Sequence, residues 1–305
     1  MGIINLSTPW ILVFIIVFFL LCVLKRWYKL SLIILGLFFF INWNWELVAF
    51  RFPTVSEKNE AKDIRLFTWN ISCADSVGVA DSRGVVTTIL NQNADIVFLT
   101  EYGIEFQPDI DSLLKMHYPI RIDIYNDYTW SCLYSHKPID SYCVLGNCDF
   151  GCLLKYDVLL QDNHFTLYCV HLQSNNYVGN TVFSPDSIAD RGGIMRYLDN
   201  YKLASEIRRE QAEMIVRDLS DVPCIVMGDM NDVSGSPCMK VFADAGLKDA
   251  WWEGGFGYGA TIHRLLPYRI DHVMYGKGLK LKGIKKVSSK GLSDHNALVA
   301  DFTLR

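Results

Sequence analysis

The nine cysteines of this 305-residue chain include no Cys-x-x-Cys pair, and the sequence has no repeat of fixed period and no low-complexity tract. The first absence argues against a cysteine-held zinc, the second against a solenoid. Basic residues are also in deficit. From Phe52 onward 25 basic residues face 32 acidic ones, a net charge of −7. Proteins that grip long nucleic acids by their phosphates carry a basic surface, so this balance counts against a dedicated DNA-binding role, though a small basic cleft remains compatible with it. A third shortage is local: Trp10 to Leu24 contains no charged residue, and Leu30 to Phe50 contains only Glu46.

The second of these runs is long enough to cross a bilayer, and the first reaches that length if extended back through Leu6, so residues 6–50 read as a transmembrane helical hairpin. Between the runs lies Lys25-Arg26-Trp27-Tyr28-Lys29, whereas Met1 to Pro9 has no Lys or Arg. The positive-inside rule puts this loop in the cytoplasm and the rest of the chain outside it, anchored in the cell (inner) membrane. A basic n-region and a small-x-small cleavage site are both missing, which argues against a cleaved signal peptide. Cys22 follows Leu20 and Leu21, which argues against a lipoprotein-type anchor. The other eight cysteines lie beyond the hairpin, several inside apolar runs, and read as buried free thiols. A disulfide among Cys143, Cys148 and Cys152 is the alternative in an oxidising compartment.

Phe52 to Asp63 is polar and reads as a linker, and 64–305 as one domain. Strand and helix then alternate. Ile64 to Ile71 reads as a strand, Gly84 to Asn93 as a helix, and Ala94 to Thr100 as an apolar strand ending at Glu101. Thr129 to Ser135, Gly151 to Leu160 and Phe165 to His171 have the pattern of antiparallel sheet. A polar loop, Tyr177 to Arg191, precedes the longest helix, Gly193 to Leu219, whose Arg208-Arg209-Glu210 cluster reads as a solvated face. Val222 to Asp232 is a short apolar run ending in Gly228-Asp229-Met230-Asn231, a buried strand that delivers polar groups to a sheet rim; Asp and Asn there would also suit a simple turn. Pro237 to Ala245 reads as a short helix, and Arg269 to Tyr275 and Asn296 to Leu304 as closing strands.

Polar residues thus terminate six apolar strands: Asn70, Glu101, His171, Asp229 with Asn231, Asp271 with His272, and Asp294 with His295. Carboxylates and amides without matching cysteines favour a hard cation such as Mg²⁺ or Mn²⁺. Two histidines add groups that exchange protons near neutrality. Such a set suits hydrolysis of phosphoric esters.

Six signatures occur in order: Thr68-Trp69-Asn70, Leu99-Thr100-Glu101, Val170-His171-Leu172, Gly228-Asp229-Met230-Asn231, Arg269-Ile270-Asp271-His272 and Ser293-Asp294-His295. Together they make the chain resemble the endonuclease/exonuclease/phosphatase superfamily over nearly all of Ile64 to Arg305, as a membrane-anchored bacterial-type member. The superfamily includes DNase I-like nucleases, exonuclease III-like repair enzymes, neutral sphingomyelinases and inositol-phosphate 5-phosphatases. The resemblance implies a four-layer α/β/β/α sandwich with its site at one rim. It further implies Glu101 as the main metal ligand, supported by Asn70, and Asp294 as a further metal-side carboxylate. Asp229 and Asn231 would position or deprotonate the attacking water. His295, oriented by Asp271, would bind phosphate oxygens and transfer protons, and His171 would be a second phosphate-binding or acid group.

Two departures from the repair branch point away from abasic-site repair. Glu101 is followed by Tyr102-Gly103, and a histidine stands at 171 where that branch has tyrosine. The segment Trp251 to Tyr258 reads as a packed turn or as a lipid-facing lip. The expected function is a membrane-tethered, Mg²⁺-dependent phosphoesterase whose substrate is a lipid head group, a small phosphodiester or a nucleic acid. The alternatives are a nuclease acting outside the cytoplasm and a non-catalytic binding module on the same scaffold. No protein partner is evident.

Overall fold

The computed structural model describes residues 2–51, 62–71, 81–103, 107–126, 129–146, 152–160, 163–175, 177–178, 181–182, 191–263 and 267–305. Seven helices are described: α1 Gly2–Leu24, α2 Tyr28–Trp45, α3 Ser82–Leu90, α4 Pro108–Lys115, α5 Arg191–Asp218, α6 Pro237–Asp244 and α7 Ala250–Gly254. Twelve strands form two six-stranded mixed sheets: β1 Asp63–Asn70, β2 Ile96–Thr100, β3 Ile120–Asn126, β4 Thr129–Ser135, β5 Ile139–Val144, β6 Cys152–Leu160, β7 Asn163–His171, β8 Cys224–Asp229, β9 Lys248–Asp249, β10 Asp271–Tyr275, β11 Leu279–Val287 and β12 Ala297–Leu304. Their orders are β11-β12-β1-β2-β4-β3 and β9-β10-β8-β7-β6-β5.

Alternation along the strands creates the layers. In β1, Ile64 and Leu66 point to the space between the sheets, where they meet Leu154, Tyr156, Leu167, Ile225 and Met227. Phe67 and Trp69 point the other way, onto Val85 and Ile89 of α3 and Ile110 and Leu114 of α4. On the outer face of the second sheet, Tyr168, Val170 and Val226 pack with Ala212 and Ile215 of α5 and Phe242 of α6. A period of two in the strands and an apolar stripe on each helix therefore yield helix, sheet, sheet and helix, in that order.

Register brings the polar strand ends together. Asn70 pairs with Thr100 across the parallel β1 and β2. Asp229 pairs with His171 on one side and with Asp271 on the other. Gly228 allows the close approach at this point: its φ is +139°, and a Cβ would stand 1.9 Å from the Val170 carbonyl oxygen. Gly228→Ala is expected to destabilise the chain by more than about 1 kcal/mol, read as a lower melting temperature.

The N-terminal region departs from the expected pair of spans. Two consecutive helices pack together, but among the described residues only α2 is long and apolar enough to cross a membrane; Trp10–Leu24 is a shorter apolar stretch. The chain after α2 belongs to the domain's packing. Ala49 and Phe50 pair with Gly257 and Phe256, and Ala49 lies in the core between the sheets. Trp251 is buried and Trp252 meets Trp43 edge-on at 6.3 Å, so the tryptophans of this segment are packed, while Phe256 remains exposed. The linker at 52–61 lies outside the described residues, as do Cys73, Cys148 and positions 183–190 of the polar loop. The seven described cysteines, Cys143 and Cys152 among them, are free thiols.

Candidate active site

Each expected site residue leaves the end or start of a central strand. Asn70 closes β1, Glu101 follows β2, His171 closes β7, Asp229 closes β8, Asp271 opens β10, and His295 precedes β12. The strands converge on one rim, and hydrogen bonds join the two sheets there. Asn70 Nδ2 donates to Glu101 Oε1 at 2.9 Å and to Asp229 Oδ2 at 2.9 Å. His171 Nε2 lies 3.5 Å from Glu101 Oε1 and 3.9 Å from Asp229 Oδ2. His295 Nδ1 meets Asp271 Oδ2 at 2.8 Å, and its Nε2 stands 3.9 Å from Asp229 Oδ2.

The backbone is bent to achieve this. Glu101 and Asn231 both adopt left-handed conformations, at φ 50° and 51°. Asparagine tolerates that region and glutamate does not, so strain is stored at Glu101. Asn231 is fixed by its N–H to Asp229 Oδ1 at 2.8 Å and by its side-chain amide to the Leu172 carbonyl at 2.9 Å. Ser293 ties the two motifs of the first sheet: its hydroxyl donates to the Asn70 carbonyl, and it accepts from the His295 N–H. Trp69 Nε1 donates to the His295 carbonyl at 2.9 Å, and Thr261 Oγ1 accepts from the N–H of Asp271.

Electrostatics differ sharply between neighbours. Burial pushes the His295 imidazole down, but the charge and hydrogen bond of Asp271, helped by Asp229 and Asp294, outweigh it and raise the group to about 10. Asp229 is raised, by burial first and then by Asp271, against the pull of His295, His171 and Asn70. His295 raised in the fold contributes stability that is complete below about 6.5 and lost as pH rises through its folded value. The metal-free chain in EDTA should therefore lose stability from pH 6.5 towards 10, and Asp271→Asn should flatten that dependence in a urea titration.

Two groups of side chains place ligand atoms within 4.8 Å of one another: Glu101, His171 and Asp229, and Asp229, Asp271 and His295. Both ring nitrogens of His171 and Oδ1 of Asp271 are buried without a hydrogen-bond partner among the described residues. Buried carboxylates and an unused imidazole facing one another are costly unless a cation joins them. The carboxylate oxygens of Glu101, Asp229 and Asp271 are the donors that fit Mg²⁺ or Mn²⁺. Asp294 belongs to neither group.

Sequence reasoning missed the frame behind the site. Arg208 is fully buried rather than solvated: its Nε donates to Asp232 Oδ2 at 3.0 Å, and its Nη1 to the Gln173 carbonyl. Arg209 and Glu210 keep to the helix surface, Arg209 paired with Glu206 and Glu213. Adjacent arginines carry no local sign of which one turns inward; the signal is Asp232, just past the Asp229 motif. Arg269 is also buried, bonded to Asp249, Ser234 and the Glu46 carbonyl.

The chain matches the Endonuclease/Exonuclease/phosphatase family over residues 67–295. No curated protein sequence matches it significantly. Among solved structures it is similar to an endonuclease/exonuclease/phosphatase from Beutenbergia cavernae (20% identity, TM-score 0.60, covering 80% of this chain and 72% of that one). It is similar to another from Bacteroides vulgatus (19%, 0.60, 80% and 99%), and to D. rerio TDP2 complexed with a single-strand DNA product (17%, 0.57, 79% and 99%). These identities carry the fold, and the family match covers most of the chain. The chain belongs to the Endonuclease/Exonuclease/phosphatase family, and with it to the Mg²⁺-dependent hydrolases of phosphoric ester bonds.

Proposed function

We propose that the chain is a membrane-tethered phosphoesterase in which Asp229 and Asn231 hold the attacking water and His295 binds the phosphate it attacks. The observation that carries this reading is the buried line Asp271, His295, Asp229, with His295 between two carboxylates. Asp271 holds the ring by Nδ1, which leaves Nε2–H facing the cluster. With its raised pKa the imidazole carries a proton at neutral pH, to be shared with a phosphate oxygen or given to the leaving group. Asp229, raised by burial, accepts the proton of water more readily than an exposed aspartate would. Glu101, with Asn70 and His171 beside it, would hold the cation, and Asp294 would add negative charge nearby. The cation supplies charge neutralisation at phosphate and a more acidic bound water.

Residues 1–51 would form the anchor, 52–63 the connection and 64–305 the catalytic domain. The basic loop Lys25 to Lys29 favours a cytoplasmic tip and a domain outside the cytoplasm. A second reading, a nuclease on that side, takes support from the fold shared with D. rerio TDP2 complexed with a single-strand DNA product. The net charge of −7 from Phe52 onward opposes it.

The test is hydrolysis of bis(p-nitrophenyl) phosphate and of p-nitrophenyl phosphate by the full chain in detergent. Activity should stop with EDTA and return with Mg²⁺ or Mn²⁺, and the preferred ester separates diesterase from phosphatase. Hydrolysis that ignores EDTA would end this reading. Inactivity on both esters with either metal would favour the binding module.

A further inference from the structure

Both helices of the N-terminal pair meet the domain near the catalytic rim. Trp45, the last residue of α2, packs against Gly235 in the loop after Asn231, close enough that a Cβ there would lie 3.0 Å from the indole. The next carbonyl, of Glu46, accepts from Arg269 Nη2 at 3.1 Å, and Arg269 stands two residues before Asp271. Trp10 of α1 hydrogen-bonds Tyr268. An isolated bridge joins Ile262 to His295, and Ile262 pairs with Tyr268. From Glu46 the chain runs away from this rim, and β1 begins at Asp63 at the opposite end of the first sheet, beside Thr303.

The junction is a clamp rather than a leash. Asn42 Nδ2 donates to the Val48 carbonyl at 2.9 Å and its Oδ1 accepts from the Val48 N–H at 2.7 Å, closing the turn that ends α2. Leu47 and Ala49 are buried. Beyond the clamp both helices expose their apolar side chains, including Phe14, Leu24, Leu32 and Phe40. At about 27 Å, α2 approaches the thickness of a hydrocarbon core, and the apolar stretch Trp10–Leu24 of α1, about 22 Å, falls short of it.

Helix α5 extends the same way. Its C-terminal end lies over the outer face of the second sheet, where Asp218 accepts from Tyr168. Gln211 and Arg208 are level with the rim, at Gln173 just past His171. From Arg208 the helix runs about 25 Å back to Arg191, its inner side still buried as far as Tyr201, whose hydroxyl donates to Asp232. It carries exposed Met195 and Leu203, and α1 packs against α5.

We infer that the catalytic rim is held against the bilayer surface and that the substrate is a phosphoester carried by a lipid head group. This rests on the phosphoesterase reading and on the anchor lying in a membrane. A soluble substrate would need no such clamp at the mouth of the site. A bilayer substrate needs the rim at head-group depth, where the overhang of α5 meets the surface.

The experiment compares two esters with the same leaving group on the full chain reconstituted in phosphatidylcholine vesicles. One is soluble bis(p-nitrophenyl) phosphate; the other is p-nitrophenyl hexadecyl phosphate inserted in the vesicles. The inserted ester should be hydrolysed at least about 10-fold faster at equal bulk concentration, at a rate set by its mole fraction in the surface. Met195→Glu with Leu203→Glu should remove about 10-fold of that rate and leave the soluble ester unaffected. A soluble ester hydrolysed as fast, with no dependence on surface fraction, overturns the inference while the phosphoesterase reading stands. The same holds if the double variant is without effect and Lys277→Glu with Lys280→Glu, in the basic cleft at the opposite rim, removes the vesicle rate. Hydrolysis of neither diester overturns the inference, and the phosphoesterase reading falls with it only if p-nitrophenyl phosphate is not hydrolysed either.

Discussion

His295→Ala is expected to lower kcat for phosphoester hydrolysis by about 10³-fold at pH 7 with saturating Mg²⁺, within the range for loss of a positioned proton donor. The ring is buried, its Nδ1 is committed to Asp271, and its pKa is raised to about 10. A protonated Nε2 is therefore present through the neutral range without a free-energy cost at the moment of reaction. Alanine removes that donor and also leaves Asp271 and Asp229 facing each other without the cation between them, so the comparison variant matters. Asp271→Asn keeps the ring and removes the charge that sustains its proton. It should cost less, about 10- to 10²-fold, and more at high pH than at low. The check is kcat against pH for both variants, with melting temperature as a control on folding. A loss below about 10-fold in His295→Ala would assign the proton work to His171 instead.

The residues of this line were legible in the sequence because each ends or begins a short apolar run, and a buried strand has few reasons to finish in Asp, Asn, Glu or His. Six such ends in family order implied the rim before any register was known. The bonds across it were not legible. That Asn70 would bridge Glu101 and Asp229 depends on two sheets packing at one relative height, which no single strand encodes. Asp294 has the right neighbours in sequence but stands outside both groups that place ligand atoms together. The strands Ile120–Asn126, Ile139–Val144 and Leu279–Val287 were missed for a different reason. All three are edges of their sheets. An edge strand is exposed along one side and dilutes its apolar alternation, here with Lys280, Lys282, Lys285 and Lys286, residues that also block edge-to-edge pairing. Leu47 and Ala49 were absorbed into the apolar run before them, since hydropathy does not separate a lipid-facing residue from one inside a protein core.

Arg269→Ala should destabilise the chain by about 3–5 kcal/mol, the cost of leaving one partner of a buried ion pair uncompensated. Its guanidinium contacts Asp249 Oδ2 at 2.6 Å and His272 Nδ1 at 3.1 Å, and it donates to Ser234 and to the Glu46 carbonyl. Burial pushes the Asp249 carboxyl up, yet the charge of Arg269 and the bonds of His272 hold it well below the usual carboxylate range. A depressed carboxylate adds stability above its unfolded pKa and loses it as pH falls, so the deficit of the variant should be largest near neutrality and narrow in acid. Arg269→Lys keeps the charge but not the planar fork that reaches Asp249, Ser234 and Glu46 together, and should recover only part of the loss. The consequence extends beyond stability. His272 Nε2 lies 3.1 Å from the Asp232 carbonyl, and Asp232 follows Asn231, so the network that receives the end of α2 also holds the loop presenting Asp229 and Asn231. If the clamp positions that loop, Arg269→Lys should lower kcat more than it raises KM even where the protein is fully folded. Equal kcat in folded Arg269→Lys would mean that the anchor and the catalytic loop share a core without sharing a function.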